Sequence, residues 1–231
     1  MCAWDLENLF DLFKADVNEK ISAMKPHSLR WYALKAKAFQ YGFDLKTDTD
    51  YYEIFGDESV VNASKIVSYT AVVEQTRGLR IKVAHDNGGD LEPLSNAQLD
   101  SFVAYMRRVK DAGVKLNITS GVADSLKAAI TIIYNPLVLN NLGVRIDGNN
   151  ATSVQSGISA FLKNLPFNGV FSIQKFEDAL LDVEGVSDLL VNSISARYGL
   201  IPFANINIRY IPDSGYLRIA VGDLTLTFIA E

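Results

Sequence analysis

One cysteine and two histidines in 231 residues leave little material for metal or thiol chemistry. Cys2 has no second cysteine to pair with, so no disulfide framework can form within the chain. His27 and His85 are far apart, and neither has a further histidine or cysteine at ligand spacing, which argues against a zinc site of the usual kind. A basic excess is also missing. Lys and Arg number 22 against 27 Asp and Glu, a formal charge of −5, so neither nucleic acid nor an anionic membrane is expected as partner. No apolar run approaches the ~20 residues of a membrane helix. The opening Met-Cys-Ala-Trp-Asp-Leu-Glu has neither the basic segment nor the apolar core of a signal peptide. The Asn-x-Ser/Thr triplets at Asn62, Asn117 and Asn150 therefore read as chance matches, and a reducing cytosol is the expected place of synthesis. Gly-x-Ser-x-Gly, P-loop and Rossmann fingerprints, internal repeats and low-complexity runs are absent as well.

What is present is 48% apolar residues in well-punctuated segments. Leu6, Phe10, Phe13, Val17, Ile21 and Met24 recur at three or four residues, which predicts one amphipathic helix. Pro26 interrupts, and a second helix is expected over Ser28 to Tyr41, closed by Gly42. Lys46 to Asp57 is polar and weakly periodic, so it reads as a linker. KIVSYTAVVEQ and LRIKVAH form a predicted hairpin, followed by turn chemistry at His85 to Asp90. Ser95 with Gln98 is a capping box, with Leu94 and Leu99 placed as a staple. That helix should bury Leu99, Phe102, Val103, Met106 and Val109 and end at Gly113. Two strands follow, divided at Gly121. A second capping box, Thr152 with Gln155, opens a helix stopped by Pro166, and Ser172 caps another that Gly185 closes. After a strand from Val186 to Ser195, the last residues read as an antiparallel meander with turns at Pro212–Gly215 and Gly222–Asp223. The class is α+β: an N-terminal helical segment, then mostly antiparallel strands covered by amphipathic helices. The expected divisions are 1–45, 46–93 and 94–231.

The search for chemistry leaves few candidates. Asp48 and Asp50 have the Asp-x-Asp shape that can share a divalent ion when strand alternation puts both carboxylates on one face. Their flanks are polar rather than strand-like, and no phosphate-binding turn precedes them. A nucleotidyltransferase-like enzyme rests on this pair alone. Tyr51, Tyr52 and Phe55 could stack on sugars or simply pack a loop. Glu177 and Asp178 complement a helix dipole, as do Arg107, Arg108 and Lys110 at the other polarity. No catalytic, metal or cofactor-binding residues are assigned, and no cofactor is expected.

The order of pieces from Leu94 resembles the C-terminal half of the baseplate-J-like family of contractile phage tails and related injection systems. The first stretch is LSNAQLDSFVAYMRRVKDAGVKLNITSG, a helix, a glycine turn and a strand. After KAAITIIYNP comes VQSGISAFLKNLPFNGVFSIQKFEDALLDVEGVSDLLV, in which Pro166-Phe167-Asn168-Gly169-Val170 and Val183-Glu184-Gly185-Val186 are the most specific parts. The resemblance spans residues 94–199, and SLRWYALKAKAFQYG is similar to the helical segment near the N-terminus of such proteins. It implies a structural wedge subunit with no catalytic residues, made in a bacterial cytoplasm and built into a virion tail or tail-like particle. Its partners would be other baseplate or tail proteins and copies of itself. The apolar stripe of Leu6, Phe10, Phe13, Val17 and Ile21 is the expected interface, because the linker after Gly42 would let both helices stand apart from the body. A tail-tip carbohydrate-binding module and the Asp48–Asp50 enzyme remain as alternatives.

Overall fold

The structure, a computed structural model, describes residues 26–53, 57–148 and 153–231. Among these, the helices are α1 (Leu29–Lys37), α2 (Glu58–Ser64), α3 (Asn96–Val109), α4 (Ser153–Asn164) and α5 (Ile173–Leu181). The first strands are β1 (Tyr69–Gln75), β2 (Gly78–Asn87), β3 (Asp90–Glu92), β4 (Leu116–Thr119) and β5 (Asp124–Tyr134). They are followed by β6 (Phe171–Ser172), β7 (Val186–Arg197), β8 (Ala204–Asn205), β9 (Arg209–Tyr210) and β10 (Leu217–Ala230). The class is α+β. The stripe of Leu6, Phe10, Phe13, Val17, Ile21 and Met24 lies outside the described residues, as do Phe55 and Thr152.

Two compact units emerge, each discontinuous in sequence. One comprises the described residues up to Ile81 with Ser95–Ile118, the other Lys82–Leu94 with Thr119–Glu231. The divisions expected after residues 45 and 93 do not coincide with these, and the helix after Ser95 joins the first unit.

In the first unit, Ser28 starts α1 by accepting from the Trp31 amide at 3.2 Å. The helix stops at Lys37, short of the expected Tyr41. Phe39 and Gln40 turn inward instead, and the Tyr41 amide donates to the Ser64 carbonyl at 2.9 Å. Burying Phe39 against Phe102 and Tyr105, each 5.3 Å away, is worth about 2 kcal/mol, more than one further helical residue supplies. Gly42 (φ +88°) serves the next turn rather than the helix end. Tyr32, Ala36 and Phe39 are thus core residues, and α1 packs on β1 and α3. The second helix is therefore no free-standing arm, and removing residues 1–42 would strip this core.

Helix α2 lies just after the polar stretch, in residues 58–64 for which the sequence predicts no element, and is capped by Asp57 accepting from the Ser59 amide at 3.1 Å; seven residues are too few to show a period. The Ser95–Gln98 capping box is present in both directions, at 3.3 and 2.9 Å. Helix α3 buries Tyr105 besides Phe102, Met106 and Val109, while Leu99 and Val103 are half-buried. It ends at Val109, and Gly113 (φ +84°) instead serves the turn that follows.

In the second unit the sheet order is β10-β5-β7-β8. Strand β5 runs antiparallel to β7 and parallel to β10. The expected terminal meander is therefore corrected. Gly222 and Asp223 make no hairpin turn; they lie inside one long strand, where a register shift between Ile219 and Leu224 absorbs them. Ahead of the Pro212–Gly215 turn there is no single meander strand but two short ones, β8, which pairs with β7, and β9, which pairs with β6. Leu126, Ala128, Ile130, Ile132 and Tyr134 alternate along β5 and face Ile158 of α4 with Phe176 and Leu180 of α5. The β2–β3 turn uses positive φ at both Gly88 and Gly89, as a two-residue hairpin demands, and Asp86 accepts from the Gly89 amide at 2.7 Å.

Candidate interaction surface

The Asp-x-Asp pair of the first unit sits in a closed turn, not on a strand. Asp48 is left-handed (φ +58°), a conformation aspartate tolerates better than most residues. The Thr49 hydroxyl donates to the Lys46 carbonyl at 2.8 Å, and the Lys46 amide donates to the Tyr51 carbonyl at 3.1 Å. Lys35 holds Asp50 twice, ammonium to carboxylate at 2.6 Å and ammonium to backbone carbonyl at 3.1 Å. The alternation that would aim both carboxylates at one ion is absent. Nor do the neighbouring tyrosines form a platform: Tyr52 stacks on Tyr105 at 5.7 Å and accepts from the Gln40 amide, while Tyr51 lies half-exposed beside Lys46. Burial pushes the Tyr52 and Tyr105 phenols up from their ordinary value.

His27 pairs with Asp111 at 2.6 Å, and Asp111 also accepts from the Tyr32 hydroxyl at 2.7 Å. This ties the turn before α1 to the loop after α3. His85 stands opposite Glu92 in the β2–β3 ladder, Arg108 pairs with Asp44, and Asp178 is exposed on α5. Among the described residues no three or more His, Cys, Asp or Glu side chains gather as a metal site would require.

The second unit holds a carboxylate that sequence reasoning did not single out. Asp124, fully buried at the start of β5, accepts from the Asp213 amide (2.8 Å), the Ser214 amide (3.0 Å), the Ser214 hydroxyl (2.7 Å) and the Tyr210 hydroxyl. Its own amide donates to the Tyr216 carbonyl at 3.0 Å. Buried Lys82 donates to the Pro212 carbonyl and to Asn168, fixing the same turn from outside. Gly215 (φ +103°) is required here: a Cβ would lie 2.6 Å from the Phe167 ring. Burial, and then the hydrogen bond to Asp124, push the Tyr210 phenol up. With four donors on its two oxygens, Asp124 clamps the Pro212–Gly215 turn onto β5.

More unusual is the apolar surface of this unit. Leu200 is 99% exposed, Val221 97% and Leu137 86%, with Ile201, Ile208 and Leu142 also mostly in solvent. Single exposed apolar side chains are ordinary; here Leu137, Leu142, Leu200, Ile201 and Ile208 stand exposed in the connecting segments of one unit, and Val221 in the bulge of β10. Beside them runs a groove of about 610 Å³ between α4 and β10, lined by Leu142, Ile158, Ile219, Leu224, Leu226 and Phe228. It exists because β10 is the outermost strand of its sheet, paired on one side only among the described residues. No helix among the described residues is long and apolar enough to cross a membrane. No protein-family model matches the chain, and no curated protein sequence matches it.

Proposed function

We propose that the chain is a structural, non-enzymatic subunit of a contractile-tail baseplate or a related injection machine, working by contacts with other tail proteins and with copies of itself. Two independent lines support this reading. One is the resemblance of the sequence over residues 94–199 to the baseplate-J-like family, with Val183-Glu184-Gly185-Val186 among its most specific parts. The observation that carries it is the apolar connecting surface around Leu200 and Ile201, which has more to gain from a protein partner than from water. Covering each of these side chains on docking contributes about 1.5–3 kcal/mol.

The test is a double substitution, Leu200→Asp with Ile201→Asp, in cells producing tail particles. Both side chains are exposed, so the variant should melt like the parent while its incorporation into particles falls at least tenfold. Incorporation at the parental level would contradict the proposal.

A further inference from the structure

Helices α4 and α5 pack on one face of the β10-β5-β7-β8 sheet, and the alternate residues look the other way. Across that second face the strands align in rows: Thr225–Ala129–Ser193, Thr227–Thr131–Leu190 and Ile229–Ile133–Asp188. The outer members are in solvent, Leu190 at 62% and Ile229 at 51%. No charged side chain lies in the first two rows.

Charge collects at the two ends, with opposite sign. Near the start of β5, Lys127 and Arg197 both lie over the Phe203 ring, at 5.9 and 4.5 Å. Among the described residues neither has a carboxylate within ion-pair distance, and the Arg197 Nε has no hydrogen-bond partner. Arg218 and Asp223, the latter in the β10 bulge opposite Lys127, share that end; Arg218 is engaged by the Leu91 carbonyl and Asp90, and the cations there outnumber the one carboxylate of the bulge. At the far end stand Asp188, opposite Ile133, and Glu231, which accepts from the Ser187 hydroxyl at 2.7 Å. Six residues of β5 separate Lys127 from Ile133, about 20 Å along the strand.

We propose that this face binds a second copy of the chain, face to face about a two-fold axis with the β5 strands antiparallel. Each copy's Lys127 and Arg197 then meet the other copy's Asp188 and Glu231, level with Ile133 and Ile229, and the uncharged rows of Ala129 and of Thr131 with Leu190 close over the middle. The occupant follows from the charge pattern. A surface positive at one end, negative at the other and uncharged between is complementary to itself when turned through a half-rotation, as an isologous interface requires. Turned the other way, cation would face cation. Three strands about 4.8 Å apart over ~20 Å present roughly 300 Å² of projected face, well under the ~800 Å² per partner of a standard interface. The dimer is therefore reversible, and its charges set orientation more than affinity. The inference does not depend on the tail assignment: it concerns the mass of the isolated chain, so its failure and the failure of that assignment are separate results.

Sedimentation velocity on the full chain, from about 1 to 200 µM, spans the affinity such a contact gives. The parent should dimerise with rising concentration. Lys127→Glu with Arg197→Glu makes both ends acidic, and Asp188→Lys with Glu231→Lys makes both basic. Each double variant should dimerise at least tenfold more weakly, and an equimolar mixture of the two should form a heterodimer. A parent that stays monomeric throughout would overturn the proposal. So would variants as dimeric as the parent, or folded variants that do not recombine on mixing. Should a swap alter the far-UV spectrum, Leu190→Asp at the exposed centre replaces it, with monomer expected and an undiminished dimer overturning the inference.

Discussion

Asp50 and Asp124 are both held carboxylates, but in very different surroundings. The Asp50 side chain is 46% exposed and held by a single ammonium, that of Lys35. Asp124 is fully buried and accepts from four donors on the Tyr210–Ser214 stretch. The first carries a sequence motif and contributes little to structure; the second carries none and holds a turn to a strand. A motif is legible when its members are neighbours in sequence. The partners of Asp124 lie 86 to 90 residues away, so only the fold brings them together.

The contrast breaks most sharply at Asp124 itself. Asp124→Ala takes the acceptor from the part-buried Tyr210 hydroxyl and Asp213 amide and from the buried Ser214 amide, while the Ser214 hydroxyl keeps the Tyr216 carbonyl at 3.0 Å; a buried donor left orphaned costs about 1–3 kcal/mol before relaxation. A loss of about 3–5 kcal/mol is expected in urea unfolding. A loss below ~1 kcal/mol would put Asp124 on the same footing as a surface ion pair.

Next in size is Gly185→Val. Gly185 holds φ +92°, and a Cβ there would come 2.7 Å from Leu139 Cγ and 2.8 Å from Val138 Cγ1. Left-handed strain and overpacking together should cost about 3 kcal/mol, read as a fall in the thermal midpoint. An unchanged midpoint would mean that the Val183–Val186 corner is differently built.

Tyr210→Phe sharpens the comparison by removing one donor and keeping the ring. A loss of about 1–2 kcal/mol is expected at neutral pH. The tyrosine also sets a pH dependence. Its folded phenol is pushed above the ordinary value near 10 by burial and by Asp124, so its contribution is complete below pH ~10 and declines as pH rises further. Unfolding midpoints measured at intervals above pH 10 should fall less steeply in Tyr210→Phe than in the parent. Tyr105, raised by burial in the first unit, continues to contribute to the alkaline loss in both.

The smallest expected effect is at the exposed pair. Asp48→Asn with Asp50→Asn, which keeps a residue tolerant of the left-handed φ at position 48, should shift stability by no more than ~1 kcal/mol, the upper range for an exposed ion pair, with or without magnesium and nucleotide. A magnesium- and nucleotide-dependent rise in melting temperature, abolished by the double substitution, would instead support the enzyme alternative.

Local chemistry was legible wherever the deciding contacts are local. The capping box at Ser95 and Gln98, the β1–β2 hairpin, the alternation of β5 and the left-handed Gly185 could all be read from neighbours in the chain. Pairing was not. Nothing in LTLTFIA says that its partner is β5 and the direction parallel, because a register is a relation between segments some 95 residues apart. Helix α1 was read too long because Phe39 scores equally well as a helical face residue and as the core residue it is. The exposed Leu200 and Ile201 left no periodic trace, since they sit in a connection between strands. The interface expected at Leu6, Phe10, Phe13, Val17 and Ile21 lies outside the described residues, and the apolar surface of the second unit was found only in the fold.

The central claim is that the chain acts through its surfaces within a tail assembly, and co-purification from particle-producing cells tests it most directly. The tagged full chain should bring down sheath and tube proteins in fixed ratio to itself, and the Leu200→Asp, Ile201→Asp variant should lose them. Parental chain recovered without any tail protein, from cells in which assembled particles are demonstrably present, would contradict the claim.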